Sequence, residues 1–187
     1  MFGLGLALAI FGQQDDAAPP PAMLFEPSSG ALDLDDYNTN TSFRVVCELA
    51  ADSHGSIRVT FATRSVTSGA VALHCSIGKQ LTNEKTTDTP IELLFGGTSG
   101  FTIPAGGTIT SDVVSHPGLS LLAGDKMIVI VDYGTPGGQA YSSGNTNVDT
   151  WFYSNATSWN VADPNVGGFF FTELPGKDYA ILSIETV

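Results

Sequence analysis

Phe101-Thr-Ile-Pro-Ala-Gly-Gly-Thr-Ile-Thr-Ser-Asp-Val-Val-Ser-His-Pro-Gly-Leu-Ser-Leu-Leu-Ala-Gly-Asp-Lys-Met-Ile-Val-Ile-Val-Asp-Tyr133 reads as three short strands cut by turns. Pro104, Gly106 and Gly107 mark the first gap; Pro117, Gly118 and Gly124-Asp125 mark the second. Lys126 to Asp132 is apolar on both of its alternating faces. That pattern belongs to a strand in the middle of a sandwich, covered on two sides.

The same pattern extends outward. T-S-F-R-V-V-C-E-L (41–49) alternates with period two, as does S-I-R-V-T-F-A-T (56–63), with Ile57, Val59 and Phe61 on one face and Arg58 and Thr60 on the other. A-V-A-L-H-C-S-I (70–77) and P-I-E-L-L-F (90–95) follow. Beyond the central stretch come T-W-F-Y-S (150–154), G-G-F-F-F-T-E (167–173) and the C-terminal D-Y-A-I-L-S-I-E-T-V (178–187). No segment of this region carries a helical period. About nine or ten short strands at turn-punctuated spacing predict an all-β antiparallel sandwich over 41–187, of jelly-roll type.

Composition agrees with that class. The chain has 187 residues, suited to one domain and an appendage. Charged residues make up 14%, and Thr, Ser and Gly carry much of the polarity. The net charge of −12 argues against a nucleic-acid partner, which requires clustered Lys and Arg, and against an anionic membrane surface. The acids are uneven. Residues 1–43 hold Asp15, Asp16, Glu26, Asp33, Asp35 and Asp36 and no base.

Residues 1–12, M-F-G-L-G-L-A-L-A-I-F-G, are apolar throughout. They fall short of the ~20 residues that span a bilayer as a helix. A secretory signal would open with a positive region, yet no Lys or Arg precedes Arg44. The expectation is a retained arm that another subunit buries through Phe2, Leu4, Leu6, Leu8, Ile10 and Phe11; a weak targeting signal is the competing reading. Residues 13–40 then form an acidic, proline-rich linker. Pro19-Pro20-Pro21 makes a stiff extended spacer, and Met23-Leu24-Phe25 is an apolar patch expected to dock on the sandwich or on a neighbour.

Two cysteines, Cys47 and Cys75, sit in the alternations Phe43-Val45-Cys47-Leu49 and Val71-Leu73-Cys75-Ile77. Both are expected to face the core as small hydrophobes, with a cross-strand disulfide as the alternative.

Four pieces then carry a family resemblance: I-R-V-T-F-A-T-R (57–64), P-I-E-L-L-F-G-G (90–97), T-I-P-A-G-G-T-I-T-S-D (102–112) and L-L-A-G-D-K-M-I-V-I-V (121–131). In this order they resemble the β-sandwich that precedes the catalytic domain of secreted bacterial SGNH (GDSL-type) hydrolases, over about residues 43–175. The hydrolase half with its Gly-Asp-Ser nucleophile block is absent, so no catalytic residue carries over. The resemblance implies a non-catalytic jelly-roll module. The start Met-x-Gly-Leu-Gly-Leu with its small apolar run resembles the N-terminus of tailed-bacteriophage structural proteins.

Residues with chemical capacity are sparse. His54, His74 and His116 show no HxH or i,i+4 spacing, so no metal site is signalled, and turn or surface positions are expected. Asp52-Ser53-His54 has triad residue types, but consecutive side chains cannot form the relay. Asp33-Leu34-Asp35-Asp36 lacks the EF-hand pattern and reads as a solvated acidic loop. Tyr141, Trp151, Tyr153 and Trp159, set among Ser, Asn and Gly, form a candidate glycan platform, with core or interface packing as the plainer reading. These observations predict no enzyme and no cofactor. They point to a virion structural protein of a tailed bacteriophage (head decoration, collar or tail appendage, or fibre base). Such a protein is displayed on the particle surface, is homo-oligomeric, and is held by residues 1–12 to other virion proteins. The alternative is a carbohydrate-binding module on a cell or virion surface, with a host glycan as partner.

Overall fold

The computed structural model describes residues 21–26, 31–35, 41–63, 69–83, 85–135, 139–143, 147–154, 172–175 and 181–187. Among these residues the regular structure is β, apart from one 3-10 turn at Pro117–Leu119. Two antiparallel sheets pack face to face as a β-sandwich. The smaller runs β1 (Met23–Phe25), β15 (Ile181–Thr186), β4 (Ser56–Ala62), with β9 (Thr108–Thr110) and β10 (Val114–Ser115) both pairing on the far side of β4. The larger runs β14 (Thr172–Pro175), β13 (Val148–Ser154), β3 (Thr41–Glu48), β11 (Lys126–Thr135), β5 (Ala70–Thr82), with β6 (Lys85–Thr86), β7 (Ile91–Glu92) and β8 (Phe101–Ile103) along the outer side of β5. A separate ribbon pairs β2 (Ala31–Asp35) with β12 (Gln139–Ser143).

Several of these segments are only two or three residues long, so the paired pieces outnumber the nine or ten strands expected. The central stretch shows why. Between Thr110 and Val114 the chain leaves β4 to cap the Gly96-Gly97 turn: the Asp112 carboxylate accepts hydrogen bonds from the Gly96 and Gly97 amides at 3.1 and 2.8 Å. Both glycines have positive φ, +59° and +81°, as a two-residue hairpin turn requires. One predicted strand therefore becomes two.

The core lies between the sheets. β3 supplies Phe43, Val45 and Cys47, and β11 supplies Met127, Val129 and Val131; β4 answers with Ile57, Val59 and Phe61. Phe61, Phe95 and Phe101 form a tilted ring cluster with centroids 4.3–5.9 Å apart. The period-two reading of β3 and β4 is thus the observed inward face, and β11 is buried on both faces as its apolar run predicts. The period-two reading fails on the first half of β5. There Asp132 pairs with His74 but Tyr133 pairs with Ala72, which leaves Leu73 as the extra residue of a β-bulge. The phase flips: Ala70 and Ala72 are buried, while Leu73 is half exposed. Cys75 and Ile77 lie beyond the bulge and keep the expected phase.

Both cysteines are buried and neither is in a disulfide. β11 separates their strands, and Cys47 pairs with Met127 while Cys75 pairs with Val131, so no disulfide bridges them. Burial, and secondarily the charge of Asp132, raises the Cys75 thiol well above its ordinary value.

Residues 13–40 hold more than a spacer. The Met23–Phe25 patch docks on the sandwich as β1, with Leu24 and Phe25 fully buried in the core. The Asp33–Asp35 part of the predicted acidic loop is strand instead, paired with Tyr141–Gln139 of β12.

Candidate functional site

The root of the N-terminal segment is built from both sheets. Met23 and Phe25 pair with Glu185 and Ile184 of β15. The Ala22 amide donates to the Thr186 hydroxyl at 2.7 Å, and the Thr186 amide donates back to the Ala22 carbonyl at 2.9 Å. On the other side the Ala50 amide, just past β3, donates to the Leu24 carbonyl at 2.7 Å. The Asn147 side-chain amide, just before β13, donates to the Glu26 carbonyl at 3.1 Å. Met23–Phe25 therefore closes one corner of the sandwich and fixes where the chain before it departs. Phe2, Leu4, Leu6, Leu8, Ile10 and Phe11 themselves lie outside the described residues.

Of the candidate glycan platform, Trp151 is the one member whose side chain is described. Trp151 is 9% exposed and packs with Val46, Ile128 and Ile130. Tyr141 falls in β12 and Tyr153 in β13, opposite Asp33 and Ser42 respectively. Trp159 lies outside the described residues.

A different grouping appears on the face of the large sheet that points away from the core. Ile128, Ile130 and Asp132 of β11 are flanked by Val46, Arg44 and Ser42 of β3 and by Gly78, Ser76 and His74 of β5. Although this is the sheet's outer face, Ile128, Val46 and Ser76 are buried, as are Arg44 and Asp132. The row is apolar at the Val46–Ile128 end and polar at the His74 end, where His74 is exposed; Trp151 pairs with Arg44 between them. Burial raises the Asp132 carboxyl to about 6; Ser42, His74 and Arg44 pull it part of the way back. The Ser42 hydroxyl favours the charged form yet falls short of full hydrogen-bond geometry, and among the described residues neither Asp132 oxygen has a hydrogen-bond partner. The row can store or release a proton in mild acid. Sequence reading passed over Asp132 as a strand end. The signal was present: counting by two from Ile128 and Ile130 puts it on the same covered face.

The remaining candidates take structural roles. The Asp52 carboxylate accepts from the Ala123 amide at 2.8 Å, and the Ser53 hydroxyl donates to the Leu119 carbonyl at 2.5 Å. His54 and His116 are exposed and line one open cavity. Among the described residues no three His, Cys, Asp or Glu side chains cluster as a metal site requires. Set against models of known protein families the chain matches none, and a search of curated proteins gives no match either.

Proposed function

We propose that the chain is a structural protein of a virus particle, of the tailed-bacteriophage kind, which displays a jelly-roll-type sandwich outward and is held to other virion proteins by residues 1–12. The observation that carries this reading is the root of the arm. An apolar, uncharged run is followed by a stiff spacer and then by four residues, Ala22–Phe25, bonded to both sheets. An anchor needs such a root, because load on the arm must pass into the core rather than peel a loop. Extended backbone paired to β15 and buried through Leu24 and Phe25 meets that need.

The arm suits a protein surface better than a lipid one. Asp15 and Asp16 follow it directly and disfavour an anionic bilayer. Gly3 and Gly5 permit close backbone approach to a neighbour. Copies related by the particle's symmetry would repeat the contact. A density map of the intact particle tests the reading. The expected result is a sandwich standing on the surface, with residues 1–12 threaded between neighbouring subunits. A sandwich that touches the particle only through its folded faces, or absence of the chain from the particle, would overturn it.

A further inference from the structure

The open cavity beside the 3-10 turn has a volume of about 300 Å³ and is walled by His54, Ser56, Ser115, His116 and Ser120, with no side-chain carboxylate among the described residues of its lining. That is unusual ground in a chain of net charge −12, and it gathers two of the three histidines. We infer that it is a binding site for an oxyanion group: a phosphate, or the carboxylate of an acidic sugar. The inference is independent of the arm.

The argument starts at His116. Its Nδ1 accepts a hydrogen bond from the Gly118 amide at 3.1 Å, capping the 3-10 turn. A ring nitrogen that accepts carries no proton, so the proton of the neutral ring sits on Nε2. Nε2 is then a donor and is closed to a metal ion, which needs its lone pair. Oxygen acceptors are what remain.

The hydroxyls point the same way. Ser56 Oγ and Ser115 Oγ lie 2.7 Å apart, across the β4–β10 pair. One proton occupies that short contact and the second hydroxyl proton is free to be donated; Ser120 adds another. The lining offers imidazole and hydroxyl donors, and the lack of side-chain carboxylates among its described residues spares a ligand oxyanion direct repulsion. It has no tyrosine or tryptophan face for stacking a neutral sugar ring.

The walls are fixed in place before any ligand arrives. The His116 amide donates to the Gly55 carbonyl at 2.8 Å, and the Val187 amide to the Ser56 carbonyl at 3.0 Å. Gly55 sits at φ +85°, and a Cβ there would come within 3.2 Å of the His116 carbonyl oxygen. The two loops therefore meet backbone to backbone, so little ordering is left for binding to impose.

Amide chemical shifts of the full chain, titrated separately with inorganic phosphate and with glucuronate at constant ionic strength, test the site. The expected result is a saturable shift confined to residues 54–56 and 115–120 with at least one anion, and none with chloride. Saturation by phosphate alone assigns a phosphate group as ligand, and saturation by glucuronate assigns an acidic sugar. His116→Asn separates recognition from folding, since the asparagine Oδ1 keeps an acceptor for the Gly118 amide while its shorter side-chain amide places no donor where Nε2–H stands. It should melt as the parent does and bind about tenfold more weakly, a loss of one hydrogen-bond donor to a charged group. Absence of saturable shifts with either anion, unchanged affinity in His116→Asn, or zinc binding in place of anion binding would each overturn the inference.

Discussion

Asp132 shows how one carboxyl can work against the fold that buries it. Its value rises from 3.8 to about 6 because burial penalises the charged form more than Ser42, His74 and Arg44 favour it. The folded chain therefore holds this proton more tightly than the unfolded chain does. The resulting stabilisation is complete below the unfolded value near 3.8 and is lost as pH rises through 6. The difference corresponds to about 3 kcal/mol. Asp132→Asn removes the titration while keeping the shape. Chemical denaturation should find the variant little changed near pH 4 and about 1–3 kcal/mol more stable than the parent at pH 7. Equal pH slopes for the two chains would show that Asp132 is already neutral or better solvated than its position implies. Tyr133 carries the parallel case without charge. It is buried against Phe43 with ring centroids 5.9 Å apart, and its hydroxyl has no hydrogen-bond partner among the described residues. Burial, and then Cys75, pushes its ionisation up, out of reach. Tyr133→Phe should be neutral or stabilising by about 1 kcal/mol, read from the denaturation midpoint. A clear loss would reveal a hydrogen bond to that hydroxyl in solution.

At the scale of elements, β1 is the piece whose weight exceeds its length. Three residues pair with β15 through an irregular register, yet Leu24 and Phe25 lose all contact with solvent. Leu24→Ala should cost about 2–5 kcal/mol, the range for deleting a buried aliphatic side chain. A thermal melt checks this, and a loss near zero would mean that β1 is not seated in solution. Here the sequence could be read only in part. β4 was legible because it alternates strictly, β3 because Phe43, Val45 and Cys47 keep a period of two, and β11 because a short run apolar on both faces marks a strand covered on two sides. β1 offered two useful apolar residues among prolines and acids, too short a run to show a period, so its docking partner stayed open. The β5 bulge was invisible for a different reason. Val71 and Leu73 continue the alternation of Cys75 and Ile77, and only the pairing with β11 shows that Leu73 is the extra residue. The histidine cavity was equally hidden. His54 and His116 are 62 positions apart in the chain and meet because β4 and β10 pair, bringing Ser56 opposite Ser115.

Across the whole molecule, sandwich and arm divide the work under the proposed reading. The sandwich has a continuous core fed by both sheets, with the chain's first described strand included. Each fully buried Leu, Ile or Phe is stabilised by about 1.5–3 kcal/mol relative to exposure, so the six large apolar side chains at Phe2, Leu4, Leu6, Leu8, Ile10 and Phe11 could hold a subunit after ordering costs are met. Truncation must respect the boundary. Removal of residues 1–12 leaves β1 intact, whereas removal through residue 40 would take Leu24 and Phe25 out of the core. The most direct measurement is the copy number in assembled particles of a chain lacking residues 1–12, compared with the full chain under the same conditions. The expected result is a folded, soluble protein with the parent's melting temperature that is lost from the particle. Incorporation of the shortened chain at the parent's copy number would contradict the account.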